Sequence, residues 1–328
     1  MARYLATRGN FDTAATCELI DTKAGIRAVI VPSVGSNMIA LRHDKLGAKV
    51  LHEPGSLEEL MNASTAFGYP VLMPPNRIWK ARFELDGVVY EFPVNREDYH
   101  IHGLVHNIEW KVVTHTASED EGAVLVTEMD SAEHPSVQRT YPQHFKLSMK
   151  FVLKDGTVTV ETRCENFSDT ALPFGVGFHP YFNTPMTEQS SKDLCFARLA
   201  AQEHWELERC FPTGQRHEPS GDFDLREFKP VSSLALDDLY GRVLDRSAVL
   251  EDRGSGLRLT VTASESYPFW VVWTGASPSA PFICFEPYSC VTNAPNLDMP
   301  ISETGLKLLE KGETFTGTVT LSLSRIQS

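Results

Sequence analysis

Long apolar runs are missing from this chain of 328 residues. Nowhere do 18 apolar residues stand together, so no membrane-spanning helix is expected. The first twenty residues, "MARYLATRGNFDTAATCELI", lack the apolar stretch of a signal peptide. Paired cysteines are missing too. Cys17, Cys164, Cys195, Cys210, Cys284 and Cys290 are scattered without a CxxC. That spacing argues against a zinc ribbon or a disulfide framework and fits reduced thiols in a cytoplasmic protein. Positive charge is in deficit, with 30 basic against 43 acidic residues and a net charge of -13. Phosphate backbones and anionic membranes would be repelled, so nucleic acid is a poor partner and a neutral small molecule an easier one. Helical periodicity is scarce as well. Only "SLEELMNA", with Ser56 as N-cap and Glu59 three residues on, reads as the start of a short helix.

What the chain does have is alternation. Phe145, Leu147, Met149, Phe151 and Leu153 alternate with other residues up to Asp155-Gly156, and Val158, Val160, Thr162 and Cys164 alternate on the way back. Apolar–polar alternation around a DG pair is a strong hairpin signal. It recurs in "RFELDGVVYEF" around Asp86-Gly87. Leu257, Leu259 and Val261 read as another strand, as do Phe315, Gly317, Val319, Leu321 and Leu323. Many strands with few short helices predict an all-β chain, a large antiparallel β-sandwich. Residues 185–233 are rich in turn-forming residues and predict a long irregular excursion, where functional loops often sit. Apolar content is 42% and no linker or repeat interrupts the chain, so 1–328 is expected to be a single domain.

Three stretches could carry chemistry. "HIHGLVH" holds His100, His102 and His106, with Glu109 nearby. In an extended strand His100 and His102 would share a face, as two ligands of a transition metal would. An H-x-H followed by glutamate is the cupin pattern, whose second element would be Pro173, Gly175, His179 and Asn183. One extra residue between the glycine and the histidine turns His179 to the opposite face, so the metal reading is set aside. His100 and His106 are then expected at the surface or behind the site. "FICFEPYSCVTNAPN" carries Glu286 into a buried-looking strand, which is costly for a carboxylate unless it is paired or has a function. Pro287 is expected to end the strand there. "PPNRIWKARF" offers Arg77, as a structural bridge or a fork for hydroxyls. In "ALDDLYGRVL" alternation sends one of Asp237 and Asp238 inward.

Taken in order, these pieces resemble the aldose 1-epimerase family, also called galactose mutarotases. "NRI" (Asn76 to Ile78) comes first, then "HG" (His102-Gly103) shortly before Trp110. "FHPYFN" (Phe178 to Asn183), "DDLY" and "CFEPYSCVTNAPN" follow. The resemblance covers about residues 20 to 325. It implies His179 as general acid and Glu286 as general base, with Arg77, His102 and Asp237 holding the sugar. It implies no cofactor and no metal, a hexose substrate, and a monomer or homodimer. Leu104 stands where many members have a second glycine, and "MPPNRI" replaces a glycine- and phenylalanine-bearing approach. A mutarotase of phosphorylated hexoses is the alternative, with Lys80 and Arg82 as its candidate basic cluster. A non-catalytic sugar-binding protein on the same fold need not keep both His179 and Glu286.

Overall fold

The computed structural model describes residues 2–277 and 279–326. Strands dominate it, and among the described residues there are three α-helices, none longer than six residues. The fold is the expected large antiparallel sandwich. Ser56 caps the helix Leu57–Asn62, its side chain accepting from the Glu59 amide at 3.1 Å. The other two helices, Pro135–Gln138 and Ile301–Thr304, are single turns too short for a 3.6-residue period to register.

The hairpins form where alternation and DG turns predict them. Phe145–Lys154 pairs with Thr157–Asn166, and Asp155 and Gly156 stand at φ 49° and 75°. Two successive left-handed residues make the turn whose twist matches the strands. All five alternating apolar residues of the first strand are buried. The Gly156 amide donates to Asp21 at 3.0 Å, which ties this turn to the N-terminal sheet. Arg82–Leu85 and Val88–Glu91 form the second hairpin.

Five strands from Tyr4–Phe11 to Ala48–Lys49 make the N-terminal sheet in chain order. It packs against Lys111–Ser118, Gly122–Asp130 and Phe145–Lys154, part of a 15-stranded sheet. That sheet continues through Asp237–Asp252 and Phe269–Trp273 to Phe282–Tyr288, then to Gly177–Phe178 and Val71–Leu72. The last few of these strands carry the candidate site.

Two expectations are corrected. Residues 185–233 are not mainly irregular: they hold the 14-residue strand Cys195–Glu208 and its partner Phe211–His217. Cys195, Ala197, Ala200 and Ala201 are buried but small, so the apolar contrast along this strand is weak. A register shift between Leu199 and Ala201 also breaks the alternation. Pro287 does not end its strand but lies inside Phe282–Tyr288, opposite Trp270. On the strand's other side, Tyr181–Asn183 pairs only as far as Cys284, and pairing resumes where Gly177 meets Tyr288. A proline, lacking an N–H, is tolerated beside such an interruption. His179 occupies the gap.

Candidate active site

Glu286 belongs to the all-buried stretch Ile283–Tyr288, between Phe269–Trp273 on one side and the interrupted pairing on the other. The interruption brings His179 inward, with its backbone amide bonded to the Pro70 carbonyl at 3.1 Å. His179 Nε2 and Glu286 Oε1 are 3.3 Å apart, and both side chains are almost fully buried. The His179 ring stacks on Tyr181, centroids 4.7 Å apart, and meets His102 and Trp273 edge-on.

The local backbone at His102 explains the HG pair. His102 and Gly103 both adopt positive φ, 70° and 69°. A Cβ on Gly103 would sit 2.1 Å from the Met73 carbonyl oxygen, so only glycine fits there. This turn follows the two-residue pairing of Arg77–Ile78 with His100–Ile101 and swings His102 toward His179. His100 therefore does not share a face with His102. Of the two positions expected for it, the surface is excluded: it is buried, and its ring nitrogens face the Pro93 and Gly103 carbonyls at 2.7 and 3.2 Å. Nor is Glu109 part of any cluster with them: it is exposed. His106 lies on the cavity wall, its Nδ1 2.7 Å from Ser64 Oγ.

Arg77 donates to Asn76 at 2.9 Å and to Asp237 at 3.2 Å. Asp237 opens the strand Asp237–Asp252, opposite Trp273, and faces the cavity. Asp238 is engaged elsewhere, by His204 at 2.8 Å. Arg77, His102, His179, Asp237 and Glu286 thus all line one cavity of about 910 Å³. Volumes of that order suit small-molecule sites. Lys80 and Arg82 are not in its lining, and Arg82 pairs with Glu84 at 3.6 Å. Arg96 on the rim is the cavity's other Lys or Arg side chain.

Sequence reading missed Tyr288 and Trp273. The Tyr288 hydroxyl donates to Glu286 Oε2, and Asn76 reaches that hydroxyl at 3.4 Å. The i, i+2 spacing of Glu286 and Tyr288 within a strand was the available signal. Trp273 gave none, because "FWVVW" is apolar throughout.

Burial sets the electrostatics. It pushes the His179 imidazole down to about 3, and the Arg77 charge acts the same way. It holds the Glu286 carboxyl well above the usual range; the Tyr288 hydrogen bond opposes this and Asp237 adds to it. His102 is held well below its ordinary value by burial and by His179. Each member of the His179–Glu286 pair thus prefers its neutral form, so together they hold one proton over a wide pH range. Moving that proton across the 3.3 Å contact gives a carboxylate beside an imidazolium.

The described residues thus form an antiparallel sandwich with a buried histidine–glutamate pair on the wall of a cavity. The described residues superpose on a galactose mutarotase-like protein from Clostridium acetobutylicum with a TM-score of 0.92. Identity is 25%, over 98% of this chain and 99% of that one. Galactose 1-epimerase from Lactobacillus acidophilus shares the fold, with a TM-score of 0.78, at 18% identity over the whole of both chains. In sequence, the uncharacterized protein YihR of Escherichia coli (strain K12) is 25% identical over 88% of this chain and 90% of its own. Galactose mutarotase from Rattus norvegicus is 31% identical over 53% of this chain and 49% of its own. The pattern of the family described as aldose 1-epimerase matches residues 18–322, and the chain belongs to that family.

Proposed function

We propose that this chain is an aldose 1-epimerase, an isomerase that interconverts the α and β anomers of a hexose. Glu286 is its base and His179 its acid. The observation that carries the reading is the buried His179–Glu286 contact, 3.3 Å between Nε2 and Oε1, on the wall of a cavity that Arg77, His102 and Asp237 also line. Arg77 Nε, His102 Nδ1 and His179 Nδ1, in residues that line this cavity, are themselves buried and lack a hydrogen-bond partner. Buried polar atoms are rarely left so.

Mutarotation opens a hemiacetal ring and closes it on the other face. The C1 hydroxyl loses a proton and the ring oxygen gains one. In the carboxylate–imidazolium form of the pair, Glu286 takes the C1 proton while His179 gives one to the ring oxygen. The aldehyde rotates about its C1–C2 bond and recloses with the two roles exchanged. A pair that shares one proton suits a reaction whose forward and reverse halves swap acid and base. Tyr181 and Trp273 supply the apolar wall, and Arg77, His102 and Asp237 the contacts to sugar oxygens. The 15-stranded sheet, which gathers strands from Val71–Leu72 to Thr314–Arg325, supports reading 1–328 as a single domain. A neutral hexose fits better than a phosphorylated one, because Arg77 is already tied to Asp237 and only Arg96 remains on the rim.

Polarimetry on freshly dissolved α-D-glucose, α-D-galactose and glucose 6-phosphate tests this. Acceleration over buffer is expected for a free hexose. Buffer rates for all three would refute it.

Tyr288 is expected to position Glu286 and tune its proton. Tyr288→Phe removes a donor that lowers the carboxyl's pKa, so that value rises further. The base then ionises at higher pH, and the acidic limb of the kcat profile moves upward. A loss of about tenfold in kcat at neutral pH is expected, the worth of one hydrogen bond to a charged group. KM should change little. An unshifted limb would assign Tyr288 a packing role only.

A further inference from the structure

The same strand that carries Glu286 presents a third donor, Cys284, two residues earlier and therefore on the same face. Cys284 stands opposite Tyr181 in one neighbouring strand and Trp273 in the other, the two aromatic residues that the His179 ring contacts. One donor atom from each of His179, Cys284 and Glu286 lies within 4.8 Å of the other two, and all three residues are buried. We infer that these three residues form a latent site for a soft divalent cation such as Zn²⁺, and that its occupation switches the pair off.

The donor set selects the ion. A thiolate with an imidazole and a carboxylate favours zinc or cobalt over magnesium or calcium, which prefer oxygen alone. Bond lengths of about 2.0–2.3 Å put tetrahedral ligands about 3.3–3.6 Å apart, so the widest pair must close by about 1 Å. His179 and Glu286 already stand at 3.3 Å. His179 Nδ1 has no partner, so no hydrogen bond there fixes the ring's tautomer and Nε2 can present its lone pair. The fourth position opens on the cavity, into which His179 and Glu286 both face. On binding, the Cys284 thiol releases its proton to solvent and sulfur bonds to the metal. Any proton on Glu286 leaves as well. The lone pairs needed for proton transfer are then held by the ion.

Cys284 has no part in the proposed reaction, so metal sensitivity and catalysis can be separated. The inhibitory consequence rests on the mutarotase reading; the binding does not. Cobalt(II) added to the full chain reads binding without any substrate. A thiolate-to-cobalt charge-transfer band that zinc abolishes is expected, and Cys284→Ser and Cys284→Ala should both lack it. In parallel, zinc should inhibit mutarotation by the unmodified protein. In either variant the concentration for half inhibition should rise about 100-fold or more, since even outer-shell changes cost 10–100-fold. Basal activity without metal should stay near that of the unmodified chain. Absence of the band from the unmodified protein, or a band of equal intensity in both variants, overturns the site. Equal zinc inhibition in both variants overturns the switch. Loss of the metal-free rate advantage over buffer would instead count against the mutarotase reading.

Discussion

Glu286→Gln is expected to slow anomer interconversion by about 10²–10⁴-fold, the usual contribution of one placed proton-transfer group. The amide keeps the shape of the carboxyl and can still accept from the Tyr288 hydroxyl, so the strand and its neighbours should stay in place. What it cannot do is take the C1 proton. Stability should not suffer, because burial already disfavours the ionised carboxylate and holds its pKa well above the ordinary value. The measurement is a polarimetric rate beside a thermal unfolding curve. A wild-type-like rate from a folded variant would remove Glu286 from its assigned role. Loss of the folded state would show that the glutamate serves packing instead.

His179→Asn is expected to cost a similar 10²–10⁴-fold in rate. Asparagine can still hydrogen-bond but cannot cycle a proton. Some stability should go too, because the ring's stacking on Tyr181 and its edge contacts with His102 and Trp273 are lost. A second readout separates this histidine from a merely packed one. In the fold the imidazole is held down to about 3 from an ordinary 6.5, so below 6.5 the unfolded chain binds a proton that the folded chain refuses. That contribution to stability is present above about pH 6.5 and is lost as the pH falls toward about 3. The variant should show a flatter decline of stability across that window. An unchanged acid profile together with a normal specific activity would make His179 a structural residue.

How much of this was legible beforehand depends on the element. The Phe145–Lys154 hairpin was readable because large apolar side chains alternate cleanly and Asp155-Gly156 can adopt two left-handed conformations. The strand Cys195–Glu208 was not, because alanines give little contrast and a register shift resets its period. Pro287 looked like a terminator because a proline interrupts a ladder it must donate to. The ladder beside it is already interrupted, and nothing in the local sequence says so.

By itself, the sequence determined the strand-rich architecture, the absence of a helix able to cross a membrane, and a short set of residues with chemistry out of keeping with their neighbours. His179 among aromatics and Glu286 within an apolar run stood out because burying such groups is costly. Only tertiary structure decided that the two are 3.3 Å apart, that Arg77 meets Asp237 from 160 residues away, and that a donor atom of Cys284 lies within 4.8 Å of both His179 and Glu286. The reason is physical. Alternation and turn chemistry act over a few residues, whereas strand order and the gap that admits His179 are set by the packing of the whole sheet.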